Sequence, residues 1–236
     1  MLGTTYFEKR LKKRGDKLVF DFDDAIWLMD VSAGNRKLSF LKRPAKTADI
    51  CWLSDLVIVG NEYLADYARQ YTKNVVVVPS TIDTDYQKPV QVKHTKPGVC
   101  IGWTGSETTQ KHFETIVPVL EKIKNLYGDR IYFKMITNRP VTYPSLGLEA
   151  TLWNKEQEVE QLAEIDIGIM PLPDDEWSKG KCGFKLLQYM ALEKPAVASP
   201  VGVNTDIVED HHNGYLAQTE EAWVDRLSAL IDDAHL

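Results

Sequence analysis

Residues 179–204 read KGKCGFKLLQYMALEKPAVASPVGVN, and this stretch decides the fold. It joins a glycine-containing loop, an amphipathic helix with Lys185 near its start, and a short buried strand. An α/β domain can hold a phosphorylated ligand this way, because the first N–H groups of a helix lack intrahelical acceptors and its dipole favours negative charge there. Gly180 and Gly183 permit close backbone approach, and Gly183 and Phe184 present N–H groups at the helix start. Lys185 lies in the first turn, where a cation opposes the dipole; a bound diphosphate removes that conflict. The plainer alternative is that Lys185 points to solvent. Lys185 and Gln188 are three apart and share a face, and Phe184, Leu187 and Ala191 are expected to form the core face.

Working outward, strands and helices alternate along the chain. Strands are expected at 17–22, 55–59, 74–78, 99–103, 131–136, 166–170, 195–198 and 214–216, with a further one at 148–152. Helices are expected at 45–53, from Asn61 to about Tyr71, from Ser106 to about Leu126, at 155–165, at 184–192, and from Thr219 to about Ile231. Asn61, Ser106 and Thr219 stand as N-caps. Near-continuous apolar strands in β-α alternation mean parallel sheets covered on both faces. Between them, PSTIDTDYQKPVQVKHTKPG is polar, holds three prolines and has neither period, so it reads as a linker. The division expected is 1–82, a linker at 83–97, and 98–236.

Bulk properties exclude several classes. The chain has 236 residues, 44% hydrophobic and 26% charged, as in an ordinary globular protein. No apolar run approaches the ~18 residues of a membrane span. The first residues lack a signal-peptide apolar core, and three unpatterned cysteines suit a reducing compartment, so a cytoplasmic location is expected. A net charge of −6 argues against a nucleic-acid partner. Lys9, Arg10, Lys12, Lys13, Arg14 and Lys17 form a local exception on a short helix ended by Gly15. They read either as a solvated helix face or as attraction to an anionic membrane surface.

Ligands in open parallel sheets sit beyond the carboxyl ends of strands. That rule selects Asp23-Asp24-Ala25, Thr104-Gly105-Ser106, the loop 171–183 and residues 200–204. The Thr104 turn is either plain capping or a second set of N–H donors. VFDFDDA resembles the Asp-x-Asp nucleophile of haloacid-dehalogenase-like phosphatases, with Asp174-Asp175 as imperfect later carboxylates, but Ala25 stands where Thr or Val is expected. The alternative is that Asp21, Asp23 and Asp24 cap and orient loop backbone. His112 is expected on the exposed side of a helix, and no histidine spacing suggests metal ligands.

VFDFDDAIW, DLVIVGNEYLADYA, VVVVPSTID, IGWTGS, LAEIDIGIMPL and KGKCGFKLLQYMALEKPAVASPVG together resemble the retaining GT-B glycosyltransferases of the group 1 (family four) class, the last two segments most specifically. The resemblance implies an α/β, GT-B-like fold: a complete C-terminal Rossmann-like domain plus a partial N-terminal one, truncated at both ends. It implies hexose transfer from a UDP- or GDP-sugar to a saccharide or lipid-linked hydroxyl, with retention, in polysaccharide or glycolipid synthesis. No metal or cofactor is implied. Lys185 and Asp24 become the candidate catalytic residues, with Asp23, Asp24 and Asn61 on the acceptor side. Thr104, Gly105, Lys181, Gly183, Phe184, Lys185 and Gln188 become the candidate donor-binding residues. Gln188 stands where the family's second Glu holds ribose, and Gly180 where the first Glu contacts the donor sugar. A non-catalytic nucleotide-sugar-binding fragment is the alternative function. Oligomerisation through an incomplete N-terminal sheet is a further expectation.

Overall fold

The computed structural model describes residues 3–28 and 43–233. In chain order it forms α1 (Tyr6–Lys13), β1 (Val19–Phe22), α2 (Lys46–Leu53), β2 (Leu56–Val59), α3 (Glu62–Arg69) and β3 (Val75–Val77). There follow β4 (Val99–Thr104), α4 (Gln110–Glu114), α5 (Val117–Tyr127), β5 (Ile131–Thr137), β6 (Thr142–Tyr143), β7 (Leu148–Glu149) and β8 (Thr151–Leu152). The rest is α6 (Glu158–Ala163), β9 (Ile167–Met170), α7 (Glu176–Lys179), α8 (Phe184–Ala191), β10 (Ala196–Ala198), α9 (Asn204–Ile207), β11 (Tyr215–Leu216) and α10 (Glu220–Ile231). Two compact units result: Met1–Ser80 with Asp174–Cys182, and Thr81–Pro173 with Gly183–Leu236.

The first unit holds a three-stranded parallel sheet in the order β1-β2-β3. Val57 and Val59 of β2 are fully buried beneath Leu64, Ala65 and Ala68, which line one face of α3. Asn61 starts that helix as expected, its side chain accepting the Leu64 N–H at 2.9 Å. Trp27 stacks flat on Tyr67 with ring centroids 3.8 Å apart. Glycine at position 15, with φ of +83°, follows the end of α1.

The second unit is a six-stranded parallel sheet in the order β11-β10-β9-β4-β5-β8. Alternate residues of each strand feed two separate cores. Ile101, Trp103, Ile131, Phe133, Met135, Ile167, Ile169 and Val197 meet α5 and α10. Cys100, Tyr132, Ile136, Met170, Ala196 and Ala198 meet α6 and α8. The period of two along a strand, with apolar residues at both phases, is what covers the sheet with helices on both sides. After β4 the chain goes to β5 and β8 on one side, then to β9, β10 and β11 on the other. The carboxyl ends of β4 and β9 are therefore the switch point, where such sheets take ligands.

Several local expectations change. The strand expected at 148–152 is two: β7 pairs antiparallel with β6, and β8 pairs parallel with β5. The loop 171–183 contains α7, capped by Asp175, whose carboxylate accepts the Ser178 N–H at 2.7 Å. His112 is buried, because α4 turns it inward beside Phe113, which packs on Trp103.

At the amino ends of the strands a polar network pins residues 94–95. Glu164 accepts the Thr95 N–H at 2.8 Å, the Thr95 hydroxyl and the Lys134 ammonium, while Tyr132 reaches it at 3.3 Å. Burial pushes the Glu164 carboxyl up, but the Lys134 and Thr95 hydrogen bonds and the Lys134 charge outweigh it and hold it at about 2, below its ordinary 4.5. A carboxylate depressed in this way contributes stability above its unfolded value and loses it as pH falls toward the folded one. Urea midpoints are therefore expected to fall as pH drops from about 4.5 to about 2. Glu164→Gln should lower stability at neutral pH and flatten that acid limb; an unchanged limb would refute the assignment.

Candidate functional site

The site in the second unit is built from the turn after β4 and the first turn of α8. Gly183 takes φ of +71°, a left-handed cap that lets α8 begin abruptly. Its carbonyl accepts the Leu186 N–H at 2.9 Å. The N–H groups of Gly183 and Phe184 open the helix, where no preceding carbonyl of the same helix exists to take them. Lys185 lies with its ammonium 5.7 Å from the centroid of the buried Trp103 ring. Trp103 also occupies the space of any Cβ at Gly105, at 2.4 Å, so one indole shapes both the lysine and the turn.

The turn after β4 spends its own amides. Thr104 N–H donates to the Tyr189 hydroxyl at 3.2 Å, Gly105 N–H to the Ile136 carbonyl at 3.0 Å and Ser106 N–H to Thr109 Oγ1 at 3.1 Å. Glu107 N–H is taken by Asn138 Oδ1 at 2.8 Å. Of the two readings of this turn, plain capping is the one these bonds match, Ser106 and Thr109 forming a reciprocal cap, and the turn forms one wall of a cavity. That cavity measures about 280 Å³ and is lined by Thr104, Gly105, Ser106, Ile136, Asn138 and Trp153.

Gln188 is 4% exposed and donates to Glu158 Oε1 at 3.4 Å. The same oxygen accepts the Trp153 indole N–H at 3.1 Å. Sequence reading missed Glu158, Trp153 and Asn138; each sits on a segment that no motif marks. It also turned α8 the wrong way. Phe184 is 46% exposed, whereas Leu186, Tyr189 and Leu192 are buried, because the Tyr189 ring sinks onto Gly168 of β9.

Lys181 and Asp24 fall in the first unit. Lys181 Nζ lies 2.7 Å from Asp24 Oδ1 and 5.0 Å from the centroid of the Trp177 ring. The buried Asn61 amide donates to the Gly180 and Lys181 carbonyls, each at 3.2 Å, so Asn61 fixes this loop rather than facing a ligand. Cys182 donates its thiol to the Asp23 carbonyl at 3.2 Å, and burial pushes that thiol up. At Gly180 an added Cβ would meet Ala25 Cβ at 2.9 Å, Ala25 N at 3.0 Å and Leu64 Cδ2 at 3.2 Å. The position has no room for a glutamate. Among the described residues no group of three or more His, Cys, Asp or Glu is placed to hold a metal ion.

A family profile described as "Glycosyl transferases group 1" matches residues 100–233, more than half of the chain. The chain belongs to the group 1 glycosyl transferases. No curated protein matches it in sequence. Among solved structures, TarM aligns with a TM-score of 0.68 at 15% identity, over 92% of this chain and 44% of that one. Anabaena HepE, solved with UDP and glucose, gives 0.68 at 14%, over 97% and 66%. The pneumococcal O-GlcNAc transferase GtfA, solved with UDP and GlcNAc, gives 0.62 at 13%, over 96% and 48%. The likeness establishes a mixed α/β fold with parallel sheets that matches GT-B glycosyltransferases, of which this chain covers part.

For this group 1 glycosyl transferase the Gly180 contacts generate a first test of the loop. Gly180→Ala is expected to destabilise the first unit by about 1–3 kcal/mol, the usual cost of overpacking against backbone. Thermal unfolding reads the change; a variant as stable as the parent would show that the loop yields freely.

Proposed function

We propose that this group 1 glycosyl transferase moves a hexose from a nucleotide-diphosphate sugar to an acceptor hydroxyl with retention, in cytoplasmic polysaccharide or glycolipid assembly. The observation that carries the reading is the opening turn of α8, with Lys185 beside it over Trp103. That turn stands at the switch point of a parallel sheet, where helix N-termini bind phosphate. HepE and GtfA were solved with UDP and a sugar, which supports a UDP-sugar as the donor.

In this reading the N–H groups of Gly183 and Phe184 take phosphate oxygens. The nucleoside occupies the cavity beside Thr104, Gly105 and Trp153, and Gln188 with Glu158 accepts the ribose hydroxyls. Breaking the bond between the anomeric carbon and the diphosphate places negative charge on the departing oxygen. The acceptor oxygen forms the new bond on the same face and gives up its proton to that departing diphosphate oxygen. Lys185 and the α8 dipole offset charge that grows as the bond breaks, which lowers the barrier only to the extent that they favour that state. Asp24, held by Lys181, is the proposed acceptor-side carboxylate.

Calorimetric titration of UDP, GDP and their sugars tests the donor site. Lys185→Ala is expected to weaken the preferred nucleotide by ~10-fold or more, the range of a hydrogen bond to a charged group. Unchanged affinity would sink the assignment. A second test uses the Gln188–Glu158 contact. Gln188→Glu should weaken nucleotide binding, because it sets two carboxylates together, and adding Glu158→Gln should restore it. If the two substitutions are simply additive, the contact plays no part in binding.

A further inference from the structure

We propose that α1 docks this protein on an anionic lipid bilayer. The helix is fastened to its own unit by one side only. Glu8 pairs with Lys46 at 2.8 Å, and Lys12 pairs with Asp55 at 2.9 Å. Asp55 is held in turn by the Leu18 N–H at 2.8 Å. The opposite side carries what a soluble helix normally hides. Tyr6 is 60% exposed and Phe7 74% exposed, and Leu11 is exposed as well. Arg10, Lys13 and Arg14 are exposed around them.

Helical spacing of ~100° per residue sorts these groups. Phe7 and Leu11, four apart, share a face with Arg10 and Arg14, while Tyr6 and Lys13 lie together along one edge of it. An apolar strip set among cations is the pattern of a helix lying in a membrane interface, with rings at the headgroup level and cations toward anionic lipid. The charge is local. Residues 6–17 carry six cations and two carboxylates, although the chain as a whole has a net charge of −6. Of those carboxylates Glu8 is taken by Lys46 and Asp16 lies 3.5 Å from the exposed Arg14, while Lys12 and Lys17 face Asp55, which leaves a net positive charge on this side. Attraction to an anionic surface is therefore focused on this face, and the rest of the chain is repelled. A polyanion such as nucleic acid would use the cations alone and leave Phe7 and Leu11 without a role. Among the described residues no helix is long and apolar enough to cross a membrane, so contact would be peripheral. The proposal rests on α1 alone and stands or falls independently of the donor site.

Co-sedimentation of the full chain with phosphatidylcholine vesicles, with and without phosphatidylglycerol, tests it. Binding is expected only with phosphatidylglycerol and should fall as salt rises. Arg10→Gln, Lys13→Gln and Arg14→Gln together should lower partitioning by ~100-fold, taking the usual contribution of each basic residue. Lys88→Gln, Lys93→Gln and Lys96→Gln, which replace exposed lysines elsewhere, should leave it unchanged. Phe7→Trp should show a blue shift of its emission when anionic vesicles are added. All these side chains are exposed, and circular dichroism confirms that the variants fold. Three results would overturn the proposal: no binding to either vesicle, equal binding to both, or full binding by Phe7→Ser with Leu11→Ser. The last would mark a general anion-binding face.

Discussion

The second unit depends on one contact, the Tyr189 ring against the backbone of Gly168. An added Cβ at Gly168 would lie 2.4 Å from that ring, so β9 must present a glycine there for α8 to approach. Tyr189 is fully buried, which is worth roughly 3 kcal/mol as apolar area alone. Its hydroxyl accepts the Thr104 N–H at 3.2 Å and lies 3.5 Å from the Gly102 and Ile169 carbonyls. One side chain thus ties α8 to both strands of the switch point. The direction in which Gly183, Phe184 and Lys185 face follows from that tie. Burial pushes the Tyr189 phenol up, which keeps it a neutral donor and acceptor over the whole physiological range.

This dependence explains what the sequence disclosed and what it withheld. Strands such as LVIV, IGIM and AVA are legible because both phases of the strand period are apolar, which only a doubly covered parallel sheet requires. The caps at Asn61 and Thr219 are legible because they are local, the side chain reaching an N–H three residues on. The rotation of α8 is not local. FKLLQYMA is apolar at almost every angle, so its pattern fits more than one core face. Gly168, far back in the chain, makes the choice. His112 is a similar case: a helix of five residues has too little period to fix which side faces inward, and the packing of Phe113 on Trp103 decides it.

The candidate site divides along the same line. Gly183 and Lys185 announce themselves by their place in a loop-to-helix motif. Glu158 and Trp153 do not, because their meaning comes only from the approach of Gln188, thirty residues from Glu158. The sequence of the Thr104 turn is compatible both with plain capping and with a second set of free donors. Here Tyr189, Ile136 and Thr109 take its amides, and nothing near the turn in sequence indicates the first two.

The two departures from the family's paired glutamates have physical partners. At position 180 the glutamate's space belongs to Ala25 and Leu64, and the Asn61 amide holds the Gly180 carbonyl in place. A glutamate there would have to displace backbone. At position 188 an amide faces the Glu158 carboxylate at 3.4 Å. A glutamate in its stead would put two carboxylates side by side in place of an amide–carboxylate hydrogen bond, and like charges at that distance repel. Gln188 therefore meets the Glu158 carboxylate as a hydrogen-bond donor rather than as a second negative charge. Each position is coupled to its neighbours, Gly180 to Ala25 and Leu64 and Gln188 to Glu158, so a glutamate at either acts on those partners as well.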